Sequence, residues 1–126
     1  MSTTNPPEAT PADAPEFGLA VEWDDRTAIV VVSGEVDMLT APRLQERLLE
    51  VLERSPAVLL IDLSGTNLFA SAGLSAVVAA YQSAGDRTSI RVVSTHRTTE
   101  RPFRMTALDR KIALFDSREA ALRAES

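Results

Sequence analysis

The sequence predicts an α/β domain: a mixed sheet of about five strands that opens with an antiparallel hairpin and is otherwise largely parallel, covered by about four helices. Three patterns carry this expectation. Two strand-like runs come first, Phe17 to Trp23 and Thr27 to Ser33. Strands and amphipathic helices then alternate to the end of the chain, the order that right-handed parallel crossovers require. Between them lies DLSGTNLFASAGLSAVVAAY, Asp62 to Tyr81, where an apolar run stops at a polar turn and a helical period begins.

Taken in order, residues 1 to 16 hold four of the seven prolines among Ala, Thr, Ser and Asn. Such a composition cannot bury enough apolar surface to offset chain entropy, and it predicts a disordered tail before a single domain over 17–126. Phe17, Leu19, Val21 and Trp23 alternate as a strand does, Asp24 to Arg26 supply the turn, and the AIVVV run returns with apolar residues on both faces. Gly34 to Asp37 reads as a loop. Thr40 is the expected N-cap of a helix that tolerates Pro42 in its first turn and continues to Ser55, where Pro56 stops it. Leu44, Leu48, Val51 and Leu52 form its inward stripe, and Glu50 and Arg54 are spaced for an i, i+4 ion pair.

Val58 to Ile61 is the next strand. In the helix after it, Leu74, Val77, Val78 and Tyr81 recur at i, i+3, i+4 and i+7, which assigns the buried face. Ser71 is then the expected N-cap, with the free amides of Ala72, Gly73 and Leu74 beside it. The opposite side carries Ala72, Ala76, Ala79 and Ser83 and no charge. Small uncharged residues let another backbone approach closely, so this side reads as a docking face; Ala is also simply the best helix former. Gly85 fits a C-terminal cap, Ser89 to Val93 a strand, Ser94 to Arg101 a polar loop, and Pro102 to Leu108 a short helix with Phe103, and Met105 or Leu108, inward. Ile112 to Phe115 is the expected last strand, and Asp116 with Glu119 resembles a capping box opening a terminal helix.

Composition narrows the function. With 13 Lys and Arg against 18 Asp and Glu, the net charge of −5 argues against a nucleic-acid footprint or a polybasic membrane surface. Aromatics make up only 5%, too few for base-stacking platforms. There is no Cys, which removes disulfides and thiolate-bound metal, and neither a signal peptide nor a membrane span is visible, so a cytoplasmic location is expected.

Ser71 and Gly73 superficially suggest a nucleophile elbow. Ala70, however, stands where the elbow needs Gly, eight residues separate Asp62 from Ser71, and His96 in the polar loop is the sole histidine to serve as base. No Lys-Ser or Lys-Thr pair follows the glycines to make a phosphate loop, and one His without Cys is a poor metal set. No cofactor or metal is expected, nor any enzyme activity. What remains is a serine at a helix start beside a face suited to a partner.

SGEVDMLTAPRL (Ser33 to Leu44) and IDLSGTNLFASAGLSAVV (Ile61 to Val78) resemble the two signatures of bacterial anti-sigma factor antagonists, the single-domain members of the STAS family. The resemblance covers about Phe17 to Leu122 and implies a STAS-type sheet. It implies further that Ser71 is the residue phosphorylated by an anti-sigma factor that is also a serine kinase of the GHKL ATPase type. The unphosphorylated chain would bind that factor and release a sigma factor, phosphorylation would end the binding, and a phosphatase would restore it. Glu35, Asp37, Ala72, Gly73, Ala76 and Ala79 are the partner-binding candidates; for Glu35 and Asp37 turn and capping chemistry is an equal reading. The commonest form of the motif has Asp before the serine and Ser after it, where this chain has Ala70 and Ala72. The Ala72 departure leaves Ser71 without a neighbouring substitute, and the Ala70 departure supports an alternative: a STAS structural or accessory module of a signalling scaffold or transport complex, without reversible phosphorylation. Ser75, one turn on, reads as helix surface.

Overall fold

The computed structural model describes residues 17–124; the tail expected over 1–16 lies outside the described residues. β1 (Gly18–Asp24) and β2 (Thr27–Val36) form the hairpin, followed by α1 (Ala41–Leu52), β3 (Val58–Phe69), α2 (Ser71–Ala84), β4 (Ser89–Val93), α3 (Arg97–Met105), a 3₁₀ turn (Leu108–Arg110), β5 (Ala113–Phe115) and α4 (Arg118–Arg123). The sheet order is β1-β2-β3-β4-β5. β1 and β2 are antiparallel and every other pair is parallel, the mixed sheet with four helices that the sequence predicts.

The alternation of side chains along the strands sorts the core into two layers. Ala28, Val30 and Val32 of β2, Leu59, Ile61 and Leu63 of β3, and Ile90 and Val92 of β4 face a large cluster with Leu44, Leu48 and Val51 of α1 and Val77 of α2. On the opposite face, Ile29, Leu60 and Val93 pack under Ala121 of α4. Polar groups fasten that thinner layer: Arg91 donates to the Ala121 carbonyl at 2.7 Å, and Arg118 reaches both Asp62 and Glu22.

The two central strands run further than their apolar runs. β2 continues through Val36 and β3 through Phe69, so the loop expected at 34–37 and the polar turn expected after Asp62 are mostly strand. Register shifts between Val31 and Ser33 and between Ser33 and Glu35 explain the misreading, because a bulge breaks the strict two-residue period. Beyond Asp62, Thr66 and Phe69 point inward and Ser64, Gly65, Asn67 and Leu68 outward.

α2 is rotated from the expected orientation. Gly73, Leu74, Ala76, Val77, Ala80 and Ala84 are its buried residues, whereas Val78 and Tyr81 are only half-buried. Ala76 is 1% exposed and belongs to the core, and Gly73 is buried too, which corrects their assignment to a docking face. The small residues do let another backbone approach, but it is the chain's own: α1 packs along α2. A Cβ on Gly73 would lie 2.6 Å from Val36 Cγ1 and 2.8 Å from Phe69 Cε1.

Helix ends bring further corrections. The N-cap of α2 is Ala70, and Ser71 is the first helical residue with no side-chain cap. α3 begins at Arg97, inside the expected polar loop, and carries Pro102 in its interior. Its fold-directed residues are Thr99 and Phe103, the latter stacked on Phe69 with centroids 5.5 Å apart. Ser117, not Asp116, caps α4, accepting from the Ala120 amide at 3.0 Å. Glu50 pairs with Arg47 at 3.3 Å instead of Arg54, whose guanidinium lies 5.0 Å from the Trp23 ring centroid. Gly85 ends α2 at φ +56°, a conformation a side chain would resist.

Candidate functional site

The site forms where β2 and β3 leave the sheet side by side. Val36 pairs with Phe69, and the Ala70 amide donates to the Val36 carbonyl at 2.8 Å, so α2 starts from a fixed point. The Ala70 carbonyl then accepts from both Gly73 (2.9 Å) and Leu74 (3.3 Å). That consumes two of the three amides expected to be free. Ser71 and Ala72 remain as first-turn donors without an intrahelical acceptor, at the end of the helix where its dipole favours negative charge. Ser71 is exposed and Ala72 half-buried.

The turn from β2 into α1 borders this point and is locked by its own side chains. Asp37 Oδ1 accepts from the amides of Leu39 (2.9 Å) and Thr40 (3.0 Å). Thr40 Oγ1 accepts from the Asp37 amide and donates to the Glu35 carbonyl, each at 2.9 Å. The Thr40 and Leu39 amides hold the Asp37 carboxyl below its ordinary value, so Asp37 is committed to the turn. Glu35 is half-buried, and its backbone serves the same turn.

This turn pushes Met38 and Leu39 into solvent at 81% and 85% exposure, and Leu68 at the end of β3 is 44% exposed. Neither strand nor helix periodicity singles out these three residues. The available signal was two consecutive apolar residues inside a polar turn. Along α2 the outward ridge is Ser71, Ser75 and Gln82, with Ala79 and Val78 half-exposed, and no charged residue occurs anywhere in the helix. A groove on one side of the ridge is lined by Met38, Pro42, Leu49 and Ala72, and one on the other by Val78, Ala79 and Leu108. The structure therefore brings Ser71 and Ala72 beside the Glu35–Asp37 turn, places Ala79 about two turns further along the helix in the other groove, and removes Gly73 and Ala76 to the interior.

His96 sits outside this constellation as the exposed residue before α3; among the described residues no hydrogen bond joins it to Ser71. Among the described residues, too, no group of His, Cys, Asp and Glu is placed to hold a metal, and no helix is long and apolar enough to cross a membrane.

Residues 19–121 match the STAS domain family. The anti-sigma-F factor antagonist RsfB of Mycobacterium tuberculosis is 34% identical over 95 residues, which span 75% of this chain and 78% of RsfB. The crystal structure of an anti-sigma factor antagonist from Mycobacterium paratuberculosis superposes with a TM-score of 0.81 at 37% identity, covering 85% of this chain and 92% of that one. The anti-sigma factor antagonist SpoIIAA in its unphosphorylated form shares the fold, at TM-score 0.65 and 14% identity over 83% of this chain and 93% of its own.

Proposed function

The chain belongs to the STAS domain family, and we propose that it is an anti-sigma factor antagonist, binding an anti-sigma factor when Ser71 carries a free hydroxyl and releasing it when Ser71 is phosphorylated. The observation that carries this reading is an exposed Ser71 opening an uncharged helix, with the exposed Met38 sharing a groove with Ala72. A surface of that kind is suited to burial against a partner, since the centre of an interface excludes charge and is filled by apolar groups. Occupying the anti-sigma factor in this way sets its sigma factor free.

The switch follows from charge. In the kinase reaction Ser71 Oγ attacks the γ-phosphorus of ATP, an Oγ–P bond forms, the bond to the β,γ-bridging oxygen breaks, ADP departs and the hydroxyl proton passes to a base of the kinase. The product carries about −1.5 to −2 charge. The domain tolerates it, because the Ser71 and Ala72 amides and the helix dipole favour an anion there. The bound state does not, because a partner seated over Ser71 and the uncharged surface of the helix strips that charge of its water. Hydrolysis of the phosphoserine by a phosphatase returns the hydroxyl. In this scheme the chain is the kinase's substrate and catalyses nothing itself.

Ala70 favours one other reading, an accessory STAS module without reversible phosphorylation, since the motif's acidic neighbour of the serine is missing. One experiment separates the two. Incubated with a GHKL-type anti-sigma factor kinase from its own genome, ATP and Mg²⁺, the chain should gain a single phosphate on Ser71 and leave the complex. Stable association with no phosphate transferred, or no association with any such kinase, would favour the accessory module.

A further inference from the structure

α3 presents a cationic face that the switch does not use. Only Thr99 and Phe103 of this helix are buried, while Arg97, Arg101 and Arg104 are exposed at i, i+4 and i+7 and line one cleft with Thr98. Arg104 is partly neutralised: Glu100 Oε1 lies 3.0 Å from its Nη2, and Asp116 borders its other side. Among the described residues Arg97 and Arg101 have no ion-pair partner. In a chain of net charge −5, adjacent uncompensated cations run against the average surface.

The face is rigidly mounted. Thr98 Oγ1 donates to the Asn67 carbonyl at 3.3 Å, Thr99 Oγ1 donates to the Thr66 carbonyl at 3.0 Å, and Phe103 stacks on Phe69. These contacts set the start of α3 against the carboxyl end of β3, the same edge of the sheet from which Ser71 projects. In parallel α/β sheets that edge is where ligands bind.

We propose that the Arg97–Arg101 face of α3 receives an acidic, extended segment of a partner protein. A helix rises about 1.5 Å per residue, so the two arginines stand about 6 Å apart along its axis. An extended chain sets alternate side chains about 6.6 Å apart. Carboxylates at alternate positions therefore meet successive guanidiniums, each able to hold a carboxylate in a two-pronged hydrogen bond. Nucleic acid fits poorly, because the patch is small and the chain is acidic overall.

The inference does not rest on the reading of Ser71, and its test uses no anti-sigma factor. The full chain, labelled with ¹⁵N, is titrated at low ionic strength with a synthetic peptide alternating Glu and Thr. Saturable shifts are expected at the α3 amides and the Arg97 and Arg101 side chains. They should be lost in high salt, and the R97E/R101E protein should bind at least about tenfold more weakly; R97Q/R101Q serves if charge reversal impairs folding. Shifts spread over all cationic side chains, equal shifts with the Gln-for-Glu peptide, or the same response to inorganic phosphate alone would overturn the proposal.

Discussion

Arg118 Nη2 lies 2.9 Å from Asp62 Oδ2, tying the terminal helix to the middle of the sheet. Burial pushes the Asp62 carboxyl up, but hydrogen bonds from the Ser64 hydroxyl and amide and from Arg118 outweigh it and hold the group below 3.8. A depressed value in the folded chain means that the unfolded chain binds the proton more readily. The stabilisation is therefore complete above the unfolded value and disappears as pH falls through the folded one. Urea midpoints of wild type and Asp62→Asn should differ at neutral pH and converge in acid below about pH 4. Arg118→Ala should cost about 1–2 kcal/mol at neutral pH, limited by the partial exposure of the arginine.

Gly73→Ala tests the joint between the site and the core. Ala favours a helix over Gly by about 1 kcal/mol, so propensity alone predicts stabilisation. The added methyl, however, meets Val36 and Phe69 at 2.6 and 2.8 Å, and Phe69 is held from behind by Phe103. Overpacking of this kind costs about 1–3 kcal/mol. The expected outcome is a lower urea midpoint with unchanged slope; a higher one would show that the joint yields.

How far the sequence reveals this architecture depends on the size of the residues that carry the signal. Large apolar residues spaced at helical intervals locate α1, and the β4 run is found with its boundaries intact. α2 exists as expected but is turned, because Ala contributes little to a hydrophobic pattern while close packing against α1 selects it. Val78 and Tyr81 look like core by size and lie at its margin. α3 was hidden by Pro102, which resembles a helix start and sits in the interior, with Phe103 as the one large inward residue. At the candidate site, the start of α2 at Ser71 was legible from the change of period. The apolar pair Met38 and Leu39 was not, since only the Asp37–Thr40 hydrogen bonds determine that both side chains project outward.

Substitutions at Ser71 should separate stability from binding. Its side chain makes no cap, so Ser71→Ala should change stability by less than about 0.5 kcal/mol. Ser71→Glu adds an anion in the first turn, worth about 0.3–1 kcal/mol of stabilisation in low salt. In binding to the anti-sigma factor the order reverses: the Ala protein should bind as the unphosphorylated chain does, and the Glu protein at least about tenfold more weakly, about 1.4 kcal/mol. Calorimetric titration of both measures the split. Equal affinities would place Ser71 outside the interface.

Ala76 and Ala79 lie three residues apart on α2 and should respond oppositely to the same substitution. Ala76 is 1% exposed, so Ala76→Arg forces a charge and a long side chain into a packed layer and should unfold the domain or lower its melting temperature severely. Ala79 is half-exposed and lines the outer groove with Val78 and Leu108. There an arginine can extend into water, and as a good helix former it should leave the melting temperature within a few degrees of wild type. Folded Ala79→Arg should nevertheless lose capture of the anti-sigma factor, because the guanidinium would have to be desolvated against a surface offering no carboxylate along the helix. Circular dichroism melts paired with a pull-down on both variants decide the matter. A stable, binding-competent Ala79→Arg protein would move the interface off this groove and onto the Met38–Leu39 side of Ser71.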